Sequence, residues 1–367
     1  MNSLLLRRKR GAMEPSPVQQ HNPAMNIRIL EPEDAERWDS YVMASGASNY
    51  HRLGWRNVIQ KGFGHPSYYL YAEDREGRIH GVLPLVHLKS VFFGSFLVSL
   101  PFFTYGGIHA RDEQTRGLLL DEAIRIARKV HAEHIELRHV CALDARIPAK
   151  TSKVSMVLDL PGDCDTLWTS FSSKLRSQIR RPLKEGMYAR IGREEELDSF
   201  YAVFSFNMRD LGTPVYPKDF FRNILEEFPR ETWICTVYTA GGKPAASGFL
   251  AAFRETLEIP WASSLRLLNR FSPNMLLYWS ALAFACGQQY RVFDFGRSTP
   301  GESTCRFKEQ WGARPMQLYW HYWLRERSGL PELTPKNPRY KTAITLWKKL
   351  PLGLTQLLGP LIVRHLP

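Results

Sequence analysis

The segment from Phe293 to Gly312, FDFGRSTPGESTCRFKEQWG, carries the side chains of this sequence that are best suited to chemistry. Its first residues alternate like a strand, and Gly296 lets the chain leave that strand through backbone angles that other residues avoid. Ionisable side chains stand before and after this glycine, so the spacing predicts a charged pocket at the end of a strand. The side chains that would form it are Asp294, Arg297, Arg306 and Lys308.

Aromatic residues surround these charges, Phe307 and Trp311 among them, and would keep water from one side of the pocket. A cation such as Lys308 at a partly dry edge acts strongly on nearby negative charge. The alternative is that Asp294 and Arg297 form a structural ion pair and that the later cations belong to an exposed loop.

The length of 367 residues exceeds one ordinary core and favours two domains of about 150 residues each. We predict a first module at 25–160 and a second module, with the candidate site, at 161–325. A disordered basic tail at 1–24 and a basic tail at 326–367 would flank them.

The formal net charge of +13 favours anionic partners: phosphate-bearing small molecules, RNA such as tRNA, or an acidic membrane surface. No stretch reaches the roughly 18 apolar residues of a membrane span. The C-terminal segment KTAITLWKKLPLGLTQLLGPLIVRHL is compatible with docking onto the body of the protein or with peripheral contact at the inner membrane.

Five scattered cysteines form no CxxC pair and have no histidines at metal-site spacing, so we expect no metal site. The odd count argues against a disulfide framework, and the N-terminal MNSLLLRRKRG has its charges after its apolar run, the reverse of a secretory signal. A cytoplasmic location is therefore expected.

The middle of the chain repeats one order of elements: strand, two helices, three strands, helix, strand. The first copy has a strand at 26–30, helices at 32–44 and 53–61, strands at 68–72, 79–88 and 91–100, a helix at 113–130 and a strand at 135–138. The second has a strand at 188–191, helices at 194–210 and 218–228, strands at 232–239, 245–253 and 256–263, a helix at 273–287 and a strand at 292–295.

This order resembles the Gcn5-related N-acetyltransferase (GNAT) fold, and two such modules in tandem resemble the Fem-type aminoacyltransferases and their acyltransferase relatives. The resemblance covers about 25–324 and implies a mixed α+β protein with mostly antiparallel sheets. A narrower likeness is to the Fem-related proteins associated with exosortase and PEP-CTERM loci of exopolysaccharide-producing bacteria. The motifs that carry it are HRLGW at 51–55, LPFFTYGGI at 100–108, LWTSFSSKLRSQIRRPLKEG at 167–186, SPNMLLYW at 272–279 and the segment at 293–312.

The resemblance implies transfer of an acyl or aminoacyl group to an amine or hydroxyl by direct attack, through a tetrahedral intermediate. Lys308 would stabilise the oxyanion, Asp294 would position the acceptor or receive its proton, and Arg297 would hold a phosphate or carboxylate. The competing class is a noncatalytic protein that binds RNA, an anionic glycan or a membrane, or a scaffold of the exosortase or polysaccharide machinery.

Basic residues on a predicted helix form a second candidate binding surface. An apolar stripe recurs every four residues from Leu167 to Ile179, and Arg176 and Arg180 emerge opposite it, while Arg181 falls nearer the apolar side. These cations suit an anionic substrate, and a merely solvated helix face is the alternative.

Three aromatic residues are further candidates for substrate binding. Tyr105 lies in a loop beside two glycines, which either admit backbone donors to a substrate or simply turn the chain. Tyr216, in a loop between two helices, would line the acceptor site. Trp55 matches a position in the family's first-module motif, although a tryptophan on a helix also suits a core.

The turn before the helix at 273–287 bears on the donor. Acetyltransferases of the family cradle the coenzyme A pyrophosphate with a glycine-rich turn at this helix N-terminus. Here the turn, Arg270-Phe-Ser-Pro-Asn274, has no glycine. Both acyl-CoA and aminoacyl-tRNA therefore remain candidate donors, and no tightly bound cofactor is expected.

Overall fold

The structure is a computed structural model that describes residues 25–143, 147–326, 329–331 and 341–367. The predicted tail at 1–24 lies outside the described residues. Over the described chain, the fold is a mixed α+β arrangement of an eight-stranded and a seven-stranded sheet, both mostly antiparallel. This confirms the predicted fold class.

The first half of the chain supplies eight strands and three helices among the described residues. They are β1 (Asn26–Ile29), α1 (Ala35–Ala44), α2 (Gly54–Phe63), β2 (Ser67–Glu73), β3 (Ile79–Ser90), β4 (Gly94–Val98), β5 (His109–Ala110), α3 (Glu113–Lys129), β6 (His134–His139), β7 (Ala149–Lys150) and β8 (Val154–Asp159).

The second half begins with two helices that the repeat does not include. Its elements are α4 (Cys164–Ser170), α5 (Ser173–Lys184), β9 (Tyr188–Gly192), α6 (Leu197–Leu211), α7 (Lys218–Glu227), β10 (Thr232–Tyr238), β11 (Pro244–Phe253), β12 (Thr256–Ser264), α8 (Pro273–Gly287), β13 (Val292–Ser298), α9 (Ser303–Glu309), β14 (Arg314–Gln317), β15 (Tyr319–Leu324), α10 (Lys341–Trp347) and α11 (Leu352–Val363).

The predicted repeat of strand, two helices, three strands, helix and strand is present in both halves. Boundaries differ by up to three residues, and one difference has a clear physical reason: the strand predicted from Val91 begins at Gly94, and residues 91–93 form the turn between β3 and β4. The apolar side chains of Val91 and Phe92 made the run at 91–100 look like one buried strand. In the structure these two side chains are almost fully exposed.

The two halves exchange their last strands. β8, from the first half, pairs with β13, and β15, from the end of the second half, pairs with β6. Each of β6 and β13 has its parallel partner on one side, so the exchanged strand covers an edge that would otherwise be unpaired. The predicted module boundary after residue 160 therefore divides the sequence but not the sheets, because each sheet contains one strand from the other half of the chain.

The parallel pair of β12 and β13 is short. Pairing runs only from Thr256 opposite Val292 to Glu258 opposite Asp294, and beyond that point the strands separate. Gly296, with φ of +74°, continues β13 in a conformation that other residues rarely adopt. The separation opens the sheet just after two acidic side chains.

Apolar packing covers both sides of the second sheet. On one side α8 and α5 cover it through residues such as Leu277 and Ile179. On the other side an aromatic cluster, with Trp55, Phe220 and Trp261, joins the two halves. The candidate site is thus held between well-packed layers.

Candidate functional site

Asp294 lies on β13 and faces the first half of the chain. It is 4% exposed, and its Oδ1 accepts hydrogen bonds of 2.7 Å from Ser155 Oγ and from the Gly296 N–H. Its Oδ2 accepts from the Tyr105 hydroxyl at 2.6 Å. Burial raises the pKa of Asp294, and the hydrogen bonds from Tyr105, Ser155 and Gly296 oppose that rise.

Glu258 is a site residue that the sequence reasoning missed. It lies directly opposite Asp294 on the neighbouring strand, is 7% exposed, and its Oε2 accepts a hydrogen bond of 2.5 Å from the Tyr50 hydroxyl. Burial, followed by the negative charge of Asp294, raises the pKa of Glu258. A lone glutamate in the otherwise apolar run TLEIPWA was an available signal, but the sequence did not show which strand lies beside it.

Lys308 lies on α9, not in the exposed loop of the alternative interpretation. The lysine is 7% exposed, and its Nζ donates to Gly296 O at 2.9 Å and to Arg297 O at 3.1 Å. Burial lowers the pKa of Lys308 to about 8, against the attraction of Asp294, which raises it. Gly296 therefore joins the two side chains, through its N–H to Asp294 and through its carbonyl to Lys308.

Two cavities lie beside these residues. The larger, of about 540 Å³, separates the halves of the chain and is lined by Tyr50, Tyr105, Glu258 and Asp294 together with Arg254 and Arg314. The smaller, of about 320 Å³, is lined by Lys308 and by polar side chains of β12, α8 and α9: Ser263, Ser264, Asn274, Ser303 and Thr304. The acidic pair and the lysine thus border different cavities.

Arg297 lies on β13, three residues after Asp294. Its guanidinium stacks over the Trp320 ring at 4.7 Å, and Arg138 stacks over the same ring at 4.4 Å. Arg297 is solvent-exposed, yet surrounding protein, followed by the charge of Arg138, lowers its pKa to about 10. Arg297 is thus open to solvent on one side and surrounded by protein on the others. The Tyr216 hydroxyl is near enough for both arginines to lower its pKa, although burial raises it overall.

The structural ion pair between Asp294 and Arg297 does not form. Arg138, unlike Arg297, has a carboxylate partner, Glu136, at 2.7 Å. Among the described residues Arg297 has no such partner, so its charge is available to an anion. The predicted residues Asp294, Arg297, Tyr105, Tyr216 and Lys308 are brought together in one region.

Trp55 and the α5 arginines lie elsewhere. Trp55 is 1% exposed and packs in the aromatic cluster, so it is a core residue rather than part of a substrate-binding wall. Arg180 and Arg181 are exposed and Arg176 is half-buried, and none of the three forms an ion pair with a described residue. Arg181 was expected nearer the apolar side of the helix, but its side chain is exposed. The buried side of α5 is formed by Leu175, Ile179 and Pro182.

The paired glycines beside Tyr105 turn the chain and allow close packing. The Gly107 N–H is bound to Arg138 O at 2.8 Å, and a Cβ on Gly107 would lie 2.4 Å from the His139 ring. Their contribution to the site is to bring Tyr105 to Asp294.

Comparison with known protein families gives a match over part of the chain. Residues 169–309 match the family described as Acetyltransferase (GNAT) domain. No curated protein sequence matches the chain. Within the described residues, no helix is long and apolar enough to cross a membrane, and no group of three or more His, Cys, Asp or Glu residues is placed to hold a metal ion.

Solved structures share the fold at low sequence identity. FemX is similar with a TM-score of 0.62 and 14% identity, over 80% of this chain and 96% of that one. The C-terminal domain of a putative lysylphosphatidylglycerol synthetase from Agrobacterium fabrum has a TM-score of 0.55 and 13% identity, over 90% and 96%. A tandem GNAT protein from the clavulanic acid biosynthesis pathway has a TM-score of 0.53 and 13% identity, over 84% and 100%. Residues 169–309 are therefore similar to a GNAT domain, within a chain that shares the fold of tandem GNAT proteins.

Proposed function

We propose that this protein transfers an acyl or aminoacyl group from an activated donor to an amine or hydroxyl of a cell-envelope or exopolysaccharide precursor. The observation that carries the proposal is the arrangement where β12 and β13 separate. A buried cation borders one cavity there, and a pair of buried carboxyl groups borders the other. Donor and acceptor could approach the same point from the two cavities.

The smaller cavity would take the donor's acyl end. Lys308 uses two of its three N–H groups on backbone carbonyls, which leaves one for the oxyanion of a tetrahedral intermediate. Hydroxyl and amide side chains line the remaining wall, and α8 begins there with the exposed Arg270 just before it. These residues suit a phosphate-bearing donor such as acyl-CoA. Because the turn has no glycine to cradle a pyrophosphate, aminoacyl-tRNA remains a second candidate donor.

The larger cavity would take the acceptor. Both oxygens of Asp294 accept hydrogen bonds, whereas Tyr50 is the one described residue that donates to Glu258. Glu258 would therefore receive the proton that the acceptor amine or hydroxyl loses as its bond to the acyl carbon forms. Collapse of the intermediate then expels the donor's thiolate or ribose oxygen, which takes up the proton that Glu258 received, so that Glu258 returns to its ionised form. Asp294 would keep Glu258 basic through its negative charge and orient the acceptor.

Arg297 would hold an anionic part of a substrate. Its guanidinium has no carboxylate partner among the described residues, and it stacks on the Trp320 ring. A planar guanidinium binds phosphate or carboxylate through two parallel hydrogen bonds. A nucleotide-linked or phosphate-bearing sugar precursor would supply such a group.

The Fem-type resemblance is the reason to propose an aminoacyl donor and a cell-envelope acceptor. Its support is the similarity to FemX across both modules, and the motifs at 51–55, 100–108 and 272–279 add the narrower association with exosortase and PEP-CTERM loci. If tRNA is the donor carrier, the exposed Arg180 and Arg181 on α5 would contact its phosphates.

Mass spectrometry of the purified protein with acyl-CoAs, charged tRNAs and candidate amino sugars tests the proposal. We expect one donor class to yield an acylated acceptor, and Glu258→Gln to suppress that product. If no donor yields product while the protein binds RNA or an anionic glycan with strong salt dependence, the noncatalytic alternative is the better account.

A further inference from the structure

Apolar side chains protrude from two parts of the described chain that are distant in sequence. At the turn between β3 and β4, Val91 is 98% exposed and Phe92 is 91% exposed. On α11, Leu357 is 68% exposed and Leu361 is 59% exposed, and with Leu354 they share one side of the helix. Side chains of this kind seldom face water together without a function. We call this set the hairpin–helix face.

The two parts are neighbours in the fold. The His65 ring nitrogen Nε2 lies 2.7 Å from Arg364 O, and the Arg364 guanidinium donates to Phe63 O at 2.5 Å. His365, the next residue, is close enough to the backbone of Lys89 for that contact to raise its pKa, although burial lowers it overall. The hairpin that carries Val91 and Phe92 therefore starts beside the C-terminal end of α11.

The opposite side of α11 is already bound to the protein. Gln356 donates to Ser205 Oγ at 2.9 Å, Val363 is buried, and a Cβ on Gly359 would lie 2.8 Å from the Val215 backbone nitrogen. Among the described residues, Gln356, Gly359 and Val363 thus hold this side of α11, and no described residue covers Leu357 or Leu361. These two leucines are available to a binding partner.

The two chain segments that form the hairpin–helix face carry formal charge of one sign. The segments 85–108 and 341–367 contain five cationic residues and no Asp or Glu. Glu133 is a carboxylate at the base of the hairpin, where it accepts from the Ser95 N–H. The five cations are Lys89, Lys341, Lys348, Lys349 and Arg364.

We propose that the hairpin–helix face binds the surface of a bilayer that contains anionic lipids. Val91 and Phe92 form a protruding tip, a shape suited to insertion between lipid headgroups, and the leucines of α11 would lie at the same interface. The lysines would pair with lipid phosphates, each adding to the attraction of an anionic surface. Since no described helix is long enough to cross a membrane, the protein would lie on the bilayer. This inference does not depend on the proposed transfer reaction.

Sedimentation of the full chain with vesicles tests the proposal without any turnover. We expect the protein to sediment with vesicles of phosphatidylcholine mixed with phosphatidylglycerol, and much less with phosphatidylcholine alone. Val91→Ser combined with Phe92→Ser, and separately Leu357→Ser combined with Leu361→Ser, should each lower partitioning by on the order of tenfold. Lys348→Gln combined with Lys349→Gln should lower binding to the anionic vesicles by about the same factor.

Matched controls distinguish binding through the hairpin–helix face from nonspecific adsorption to vesicles. Leu267 is 82% exposed and lies outside both segments, so Leu267→Ser should leave vesicle binding unchanged. Lys174→Gln combined with Lys184→Gln removes two exposed lysines of α5 and should also have little effect. Circular dichroism would establish that each variant is folded. Two results would overturn the proposal and favour a protein partner. One is failure of the wild type to sediment with anionic vesicles, and the other is binding by the folded hairpin and α11 variants that equals binding by the wild type.

Discussion

Glu258 and Asp294 lie directly opposite each other on the parallel strands β12 and β13, and each accepts a hydrogen bond from a tyrosine of the first half of the chain. Tyr50 binds Glu258, and Tyr105 binds Asp294. Neither half of the chain forms this arrangement alone. Two buried carboxyl groups so placed disfavour each other's ionisation, which raises the proton affinity of the pair.

The pH dependence of turnover should reflect this pair and Lys308. Glu258 acts as a base after losing its proton, and its pKa is raised, so turnover should increase with pH above the usual carboxyl range. Lys308 stabilises negative charge while protonated, and its pKa is about 8, so turnover should fall as pH rises beyond that value. Glu258→Gln should remove the rising limb from the residual activity. A pH–rate profile unchanged by that substitution would contradict the assignment of the base.

Replacing Lys308 tests the oxyanion role. Lys308→Met should lower turnover by on the order of a hundredfold, because a positioned donor to the developing oxyanion is lost. Methionine keeps the apolar stem of a buried side chain, so the fold should survive. Lys243→Met, at an exposed turn, is the control. Normal turnover by the Lys308 variant would exclude Lys308 from the mechanism.

Replacing Asp294 separates chemistry from binding. Asp294→Asn removes the negative charge that raises the pKa of Glu258 and should lower transfer by about tenfold, with donor affinity less affected. Single-turnover kinetics and donor titration measure the two effects separately. A variant that transfers normally would make Asp294 a structural residue.

Stability offers a test of Glu258 that needs no substrate. The raised pKa means that the folded state retains a proton that the unfolded state loses near the ordinary glutamate value of 4.5. The free energy of unfolding should therefore decrease as pH rises from 4.5 to the folded-state pKa, by up to about 1.4 kcal/mol per pH unit. Urea denaturation of Glu258→Gln should show a shallower decrease. Identical slopes for wild type and variant would mean that Glu258 ionises normally in the folded protein.

Arg297 is predicted to bind an anionic group of the substrate. Arg297→Gln should raise KM by on the order of tenfold with little change in kcat, because a charged hydrogen bond to a bound anion is lost. Arg306→Gln is the matched control, because the Arg306 side chain is exposed, donates to Gly301 O at 3.0 Å and lines neither of the two cavities. A loss confined to kcat would instead indicate that Arg297 acts on the transition state.

The repeat of elements could be predicted from the sequence because it depends on local patterns. The alternation of β13 and the apolar character of helix α8 are properties of short segments. Gly296 was expected to end the strand, but β13 continues through it to Ser298. For the same reason Asp294, Arg297 and Lys308 were recognisable as site candidates. Trp55 was assigned to substrate binding because its type and motif do not distinguish a core position from a cleft.

By itself, the sequence determined the two-module α+β fold and the charged segment at its end, since hydrophobic periodicity and turn residues act over a few positions. Tertiary structure decided which distant strands and loops meet. The exchange of β8 and β15, the approach of Tyr50 to Glu258, and the placement of the β3–β4 turn beside α11 depend on pairings across 100 to 300 residues. Such long-range contacts are selected by the packing of the whole chain, and no local pattern specifies them.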